Sequence, residues 1–204
     1  MTPPRVGAGQ ALVVGLGSPD RGDDAVGPTV ARRVAALRPP GIQVVEREDP
    51  TSLIDLWGDR DLAIVVDALC SDGVPGTQMI MESGVGLAPL PEDAWTRTGR
   101  GGTHAFGLAA AVELSRALHR LPRRLVLIGI EAGGLEHGEP LSAPVGAAVE
   151  PAVEAAIGIL LEAGALPSRP NGDSDRAERP ARDMKGRAWR RTRTSSTSPR
   201  ATRT

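Results

Sequence analysis

The sequence predicts an α/β fold, with a five-stranded mixed sheet and helices on both of its faces. Two observations lead to this prediction. Short apolar runs alternate with helix-period segments between residues 11 and 163, which is typical of α/β layer folds. One run follows a Gly/Pro loop at residues 72–76 that is too short for a helical crossover, so its strand is expected at an edge with an antiparallel neighbour.

Five apolar runs are predicted as strands. The first, third and fifth are almost wholly apolar, as expected for strands buried on both faces of a sheet. The second follows Pro39-Pro40, and the fourth is the expected edge strand. The predicted strands comprise residues 11–16, 42–46, 62–66, 77–81 and 124–130.

Four segments between or after these strands are predicted as helices. The first is amphipathic and is ended by Pro39-Pro40, and the second is short and is stopped by Gly58. Thr103 is positioned to cap the third, and the fourth is rich in alanine. The predicted helices comprise residues 24–37, 52–57, 104–119 and 142–163.

Composition excludes several classes of protein. The 204 residues include only four aromatic side chains, too few for the stacking surfaces of single-strand nucleic-acid binders. The single cysteine excludes a disulfide framework and any four-thiolate metal site. We find no leader-like apolar core in residues 1–10 and no apolar run of membrane-spanning length. We therefore expect a cytoplasmic monomer that binds neither membrane nor nucleic acid.

Charge divides the chain into two parts. Residues 168–204 carry an excess of seven positive charges, whereas residues 1–167 carry an excess of eight negative charges. The basic tail has no apolar periodicity, so we expect residues 1–167 to form the folded domain and the tail to be disordered. The tail is either an arm for an acidic partner or nucleic acid, or an extension that is solvated without a role or folds back loosely on the acidic body. The sequence leaves these alternatives open.

The glycine-rich stretch at residues 15–27 connects the first strand to the first helix. A dinucleotide-binding loop needs glycine where this chain has Asp20, and a phosphate-binding loop needs Lys and Ser/Thr where it has Asp23 and Asp24. Carboxylates repel phosphate. The loop is therefore better suited to present an anion to a cation, or to act in general acid–base catalysis.

Two further side chains are expected to join Asp24. Asp67 follows the apolar core of the third strand, and ligand sites of open α/β sheets lie beyond the carboxyl ends of their strands. His104 begins the third helix after a Gly-rich loop. If the first and third strands are parallel neighbours, these two carboxylates and one imidazole make a three-ligand site for a borderline divalent metal.

The other candidate residues have simpler interpretations. We expect Asp23 to cap the first helix, and His119 to interact with the C-terminal dipole of the third helix. His137 lies in a Gly-rich segment and is expected to be exposed. Cys70 is interpreted as a small buried hydrophobe, with a thiol nucleophile served by His104 as the alternative.

The chain resembles the hydrogenase maturation endopeptidases, which trim the C-terminus of the nickel–iron hydrogenase large subunit. The resemblance spans about residues 11–159. It rests on four pieces in the family's order, namely the loop 15–27, the run Val65-Val66-Asp67-Ala68, Thr103-His104-x-x-Gly107-Leu108, and Ile130-Glu131 followed by Gly138-x-x-Leu141-Ser142-x-x-Val145. Three departures lie in the loop, with Ser18 for Asn, Asp20 for an apolar residue and Ala25 for Gly.

The resemblance implies a fold, a site and an activity. The fold is a three-layer, phosphorylase/hydrolase-like α/β sandwich, and Asp24, Asp67 and His104 fall on the family's metal-contacting positions, which are also its candidate catalytic positions. The implied activity removes the C-terminal extension of a nickel-loaded large-subunit precursor, with nickel recognised on the substrate instead of being held tightly by the free enzyme.

Alternatives stay open at this point. A non-catalytic, metal-dependent assembly chaperone for the same partner would use the same three residues. A nucleotide-binding domain is disfavoured by the three acidic residues of the loop. For hydrolysis, the metal acts as a Lewis acid or a carboxylate acts as general base, and the lack of an obvious activated Ser or Cys favours attack by water.

Overall fold

The computed structural model describes residues 10–89 and 104–166 of the chain, and the side chains of residues 104–106 are excepted. The basic tail lies outside these residues. The predicted division of the chain at residues 167 and 168 therefore stays a prediction.

The described residues form one five-stranded mixed sheet in the order β2-β1-β3-β5-β4. The first four strands of this order run parallel, and β4 pairs antiparallel with β5 at the edge. This confirms the predicted strand number, the mixed sheet and the antiparallel edge strand. The strands are β1 (Ala11–Leu16), β2 (Ile42–Arg47), β3 (Leu62–Leu69), β4 (Gln78–Ser83) and β5 (Arg124–Glu131).

Four α-helices cover the sheet. Each lies within a predicted helical segment, although the first starts two residues late because Gly22–Ala25 form a separate 3-10 turn before it. A second 3-10 turn, Pro50–Ser52, precedes α2. The helices are α1 (Val26–Ala36), α2 (Leu53–Trp57), α3 (His104–Ala117) and α4 (Ala143–Glu162).

The sheet separates two apolar cores, which makes the three layers. Alternate strand residues point to opposite faces. One face packs against α1 and α4, and the other packs against α2 and α3. In β3, for example, Ile64 and Val66 belong to the first core, while Ala63 and Val65 belong to the second.

The end of β3 differs from the prediction. The sequence suggested a strand of residues 62–66 with Asp67 just beyond it, but β3 continues through Asp67 to Leu69. The reason is its pairing with β5, in which Asp67 lies opposite Gly129 and Leu69 opposite Glu131. On its other side, β1 pairs with β3 only as far as Val66.

Helix α4 is the one helix within the described parts of the chain that is long and apolar enough, by length and composition, to cross a membrane. Its most apolar window has a mean hydropathy of 1.5 and is 44% buried inside the domain. Val145, Ala152, Ala156 and Leu160 are fully buried in the core shared with α1. Packing against the sheet therefore accounts for the apolar residues on one face of this helix.

Helix α1 begins almost in contact with the backbone of the sheet. A Cβ atom on Gly27 would lie 2.2 Å from the carbonyl oxygen of Leu16 and 2.5 Å from that of Val66. Real Cβ atoms essentially never come so close to backbone, so any larger residue must push α1 away from β1 and β3.

We predict that Gly27→Ala lowers the free energy of unfolding by about 2–3 kcal/mol, because backbone has to move to accept the methyl group. The matched control is Gly158→Ala in α4, where a Cβ would meet nothing within 4 Å. That variant should be stabilised by about 0.5 kcal/mol, since alanine loses less backbone entropy on folding. Urea denaturation followed by circular dichroism measures both, and equal effects at the two sites would contradict the close-approach argument.

Candidate functional site

The loop between β1 and α1 folds back over the carboxyl ends of the strands. Gly17 has a φ of +126°, and a Cβ there would lie 2.1 Å from the carbonyl oxygen of Asp24. A left-handed backbone and the lack of a side chain are both needed at this position. The result is that the 3-10 turn Gly22–Ala25 lies directly against the end of β1.

Asp24 is held inside this loop. Asp24 is only 4% exposed, and its Oδ2 accepts a hydrogen bond of 3.0 Å from the backbone N–H of Ser18. An N–H donor interacts most strongly with an ionised carboxylate. The loop thus orients the carboxylate of Asp24 from its own backbone.

Asp67 is fully buried in the central strand β3. Its Oδ1 accepts a hydrogen bond of 2.8 Å from the backbone N–H of Ala68. It shares its strand face with Val65 and Leu69, which belong to the core beneath α2 and α3. Opposite it on β5 stands Gly129, which has no side chain.

The two carboxylates lie at the same edge of the sheet. The predicted condition for this was that β1 and β3 be parallel neighbours, and this condition is confirmed. Both carboxylates also act on one group, because the negative charges of Asp24 and Asp67 each contribute to raising the pKa of the Cys70 thiol. Whether these two residues take part in a reaction is a prediction that their positions alone do not test.

His104 is the first residue of α3, and its side chain is not among those described. The position of the helix can be followed from its other residues. Near the C-terminal end, Arg116 hydrogen-bonds to Ser83 at the end of β4, which lies at the amino edge of β5. Since 14 helical residues span about 21 Å, the start of α3 lies towards the carboxyl edge of the parallel strands.

A second contact fixes the same end of α3. A Cβ on Gly107 would lie 3.0 Å from Cγ of Pro50, in the 3-10 turn that follows β2. Helix α3 therefore begins at the edge that holds Asp24, and on the sheet face to which Asp67 belongs. The backbone of His104 therefore lies at this edge of the sheet, and the three-residue site stays a prediction.

Asp23 does not cap a helix, which corrects the prediction for this residue. The first turn has no side-chain cap. Instead, Oδ2 of Asp23 accepts hydrogen bonds from the N–H groups of Gly133 (2.7 Å) and Gly134 (3.1 Å) and from the hydroxyl of Ser142 (2.9 Å). Its Oδ1 accepts one from the N–H of Ser142 (2.6 Å). Its role is structural, as expected, but it connects two distant loops.

Glu131 has a comparable role that was not predicted from the sequence. It is 4% exposed at the end of β5, and its carboxylate accepts bonds from the N–H (2.7 Å) and hydroxyl (2.7 Å) of Ser71 and from the N–H of Gly73 (2.9 Å). An acidic residue directly after six apolar or small residues was the available signal. Its partners lie about 60 residues away and could not be identified from local patterns.

A cleft of about 630 Å³ opens between the two tethered loops. Its described lining comprises Arg21, Cys70, Asp72, Gly73, Pro75 and residues 131–136. A second cleft of about 380 Å³ lies on the other side of the β1–α1 loop, beside Gly17, Pro19 and residues 46–49. Asp24 and Asp67 are not among the described residues that line either cleft, in keeping with their burial.

Cys70 has the properties of a protonated thiol. Burial raises the pKa of Cys70 to about 11, with further contributions from the negative charges of Glu131, Asp24 and Asp67, while Arg21 opposes the shift. A nucleophilic cysteine needs the opposite shift. This result disfavours the alternative in which Cys70 attacks the substrate.

Of the remaining single residues, His137 is exposed, as predicted. His119 lies two residues beyond the end of α3, where its backbone N–H bonds to the carbonyl of Arg116, and the interaction of its side chain with the helix dipole stays a prediction. Ala25, at a position where the related family has glycine, adopts a φ of −70° and is unstrained. Ser18 contributes its backbone N–H to the loop through Asp24.

Among the side chains that the structure describes, no group of three His, Cys, Asp or Glu residues is arranged to hold a metal ion. The predicted third ligand, His104, falls outside that set. The two described members, Asp24 and Asp67, supply carboxylate oxygens only.

Comparison with known proteins points to one family. The family model described as hydrogenase maturation protease matches residues 48–159. The hydrogenase 2 maturation protease of Escherichia coli K12 is 29% identical over 159 residues, covering 75% of this chain and 92% of that protein. The hydrogenase expression/formation protein HupD of Rhizobium leguminosarum bv. viciae is 30% identical over 122 residues, covering 59% and 57%.

Solved structures of the same kind share the fold. The hydrogenase maturating endopeptidase HybD from E. coli superposes with a TM-score of 0.60 at 28% identity, covering 76% of this chain and 94% of that one. The hydrogenase maturation protease HycI from Thermococcus kodakarensis KOD1 gives a TM-score of 0.58 at 26% identity with the same coverage. The predicted α/β sandwich is confirmed by these likenesses.

The tether made by Asp23 yields a test of stability. We predict that Asp23→Ala lowers the free energy of unfolding by about 2–3 kcal/mol, because the N–H groups of Gly133, Gly134 and Ser142 lose a charged acceptor that is itself buried. Urea denaturation measures the change. The control is Asp20→Ala in the same loop, where the side chain is exposed and a change below about 0.5 kcal/mol is expected. Equal effects of the two substitutions would show that the tether adds no stability.

The raised pKa of Cys70 yields a test by alkylation. Because a raised pKa keeps the thiol protonated, the rate of reaction with iodoacetamide should keep increasing up to about pH 11. At pH 8 the folded protein should react at least about tenfold more slowly than the same chain unfolded in urea. A native rate that levels off below pH 9 would contradict the assigned environment.

Proposed function

This chain belongs to the hydrogenase maturation protease family, and from that premise we propose that it removes the C-terminal extension of a nickel-loaded nickel–iron hydrogenase large-subunit precursor. The enzyme class follows from the family, whose members are hydrolases that cleave a peptide bond in a protein. Membership also favours the enzyme over the non-catalytic assembly chaperone. The precursor, its nickel and the residues that act on it are the proposed part.

One observation carries this proposal. Two buried carboxylates from different elements, Asp24 and Asp67, lie at the carboxyl edge of neighbouring parallel strands. Both carboxylates contribute negative charge at this edge, where they help to raise the pKa of the Cys70 thiol. A divalent metal that a substrate brings to this edge would be attracted by that charge.

In this proposal, nickel arrives on the precursor and is part of the substrate. Nickel(II) accepts carboxylate and imidazole ligands in addition to thiolates. Asp24, Asp67 and His104 would contact it, and His104 starts its helix at the same edge of the sheet. A precursor without nickel would lack the cation and bind weakly, so that cleavage follows metal insertion.

The chemistry proposed for the cut is attack by water. The protonated Cys70 is a poor nucleophile, whereas a carboxylate that a backbone N–H bond holds in one orientation is positioned to act as general base. Asp24 and Asp67 each have such a bond. The substrate's nickel would supply a Lewis acid at the same edge.

We also propose that the enzyme acts as a monomer in the cytoplasm. The single cysteine and the partner proposed above support this location, because metal insertion with thiolate ligands requires a reducing compartment.

We predict that Asp24→Asn and Asp67→Asn each reduce cleavage at least about 100-fold, because a neutral amide neither attracts the cation nor accepts a proton. His104→Gln should have a similar effect. The measurement is the mass of a nickel-loaded large-subunit precursor after incubation with each variant.

The control for these variants is Asp59→Asn, an exposed acid after α2 at the opposite edge of the sheet. It should cleave at the wild-type rate. A wild-type rate in any one of the three site variants would remove that residue from the site. A precursor left uncut by the wild-type protein, under conditions where a related peptidase cuts its own, would refute the substrate assignment.

A further inference from the structure

The larger cleft is formed by two loops that are already fixed in position. The carboxylate of Glu131 holds Ser71 and Gly73 on one side, and the carboxylate of Asp23 holds Gly133 and Gly134 on the other. Both carboxylates are at least 95% buried. A ligand that enters this cleft meets walls that need little ordering, which favours binding.

The cleft lies next to the two buried carboxylates of the site. Cys70 lines it, and the charges of Asp24 and Asp67 both act on the Cys70 thiol. Its volume of about 630 Å³ falls within the roughly 300–1,000 Å³ of typical ligand pockets. It is large enough for a few residues of an extended peptide.

Arg21 is the single cationic side chain among the described residues that line this cleft. It is half-buried, and its Nε donates a hydrogen bond of 3.1 Å to the carbonyl oxygen of Leu135. This is the only hydrogen bond of its side chain to a described residue, so both terminal nitrogens of the guanidinium keep donors for a ligand. A guanidinium held in this way matches the planar geometry of a carboxylate.

The acidic residues of the lining do not neutralise Arg21. Glu131 already accepts three hydrogen bonds from the opposite loop. Asp72 and Glu136 are exposed at the rim, and neither forms an ion pair with Arg21. Among the described lining residues, Arg21 is therefore the one group that can pair with a carboxylate, through guanidinium donors that no acidic side chain of the lining occupies.

We propose that this cleft binds the C-terminal segment of the precursor, and that Arg21 binds a carboxylate of that segment. This inference rests on the proposed function and adds a specificity-determining residue to it. The carboxylate has two possible sources, the chain terminus of the extension and an Asp or Glu side chain within it. Both have the same chemistry, and the experiment separates them.

The first experiment compares Arg21→Met with Arg33→Met in cleavage of a nickel-loaded precursor. Arg33 is an exposed cation of α1 outside the cleft. Arg21→Met should raise KM by about 10- to 100-fold with kcat within about threefold of wild type, because the lost contact is to a part of the substrate away from the cut. Arg33→Met should change neither value. Arg21→Lys keeps the positive charge but loses the paired donors of the planar guanidinium, so its KM should lie between those of wild type and Arg21→Met.

The second experiment identifies the carboxylate. One precursor carries a C-terminal amide, and another has every Asp and Glu of its extension replaced by Asn and Gln. The substrate that lacks the carboxylate bound by Arg21 should show a raised KM with the wild-type enzyme and no further rise with Arg21→Met. The other substrate should behave like the natural precursor.

Two results would overturn the inference. One is an unchanged KM for Arg21→Met, and the other is a rise in KM that is the same for all three precursors. Either can occur while the wild-type enzyme still cuts the precursor, so this inference can fail without the proposed function. A binding measurement guards against a folding defect in Arg21→Met. The affinity of a fluorescent peptide with the sequence of the extension is measured by anisotropy for wild type, Arg21→Lys and Arg21→Gln. Equal affinity for all three proteins would also overturn the inference.

Discussion

The structure of the site depends on one steric constraint, the contact between the backbone at the start of α1 and the ends of β1 and β3. A Cβ on Gly15 would lie 2.3 Å from the carbonyl oxygen of Gly27, and one on Gly27 would lie 2.5 Å from that of Val66. Backbone can approach backbone so closely only where side chains are missing. Because of this contact, the preceding 3-10 turn, Gly22–Ala25, lies against the edge of the sheet, and so do its residues Asp23 and Asp24. Two glycines of this glycine-rich stretch, Gly15 and Gly27, thus serve to pack a helix on a sheet.

The two adjacent aspartates of that turn, Asp23 and Asp24, have different roles, and their hydrogen bonds explain the difference. Asp23 accepts four bonds from Gly133, Gly134 and Ser142, three at Oδ2 and one at Oδ1, so both of its oxygens are engaged. It is therefore committed to joining loops. Asp24 is turned to its own loop, where Ser18 orients it. The same residue type, one position apart, provides a structural connection in one case and a candidate reactive group in the other.

The sequence predicted the layers of the fold well because continuous apolar runs and amphipathic segments are local signals. It also predicted the edge strand, since the preceding loop could not hold a crossover helix. It placed Asp67 beyond β3, whereas pairing with β5 extends the strand to Leu69, and strand ends that depend on a neighbour are not visible in composition. The wrong helix cap at Asp23 has a similar cause, because its partners lie 110 to 119 residues away. Asp24 and Asp67 could be brought together in advance only through the assumption that β1 and β3 are parallel neighbours.

The negative charge at the carboxyl edge of the sheet explains why the Cys70 thiol is not activated, and it also favours a metal ion on the proposed substrate. Burial and three surrounding carboxylates, Glu131, Asp24 and Asp67, raise the pKa of Cys70. Burial disfavours a charge of either sign, but the contribution of the three carboxylates favours a cation, because it arises from their negative potential. The edge is therefore unsuited to covalent catalysis by cysteine and suited to a metal cation placed beside Asp24 and Asp67. In the proposed reaction nickel is that charge, so the buried carboxylates that exclude one mechanism would also make cleavage conditional on a loaded precursor.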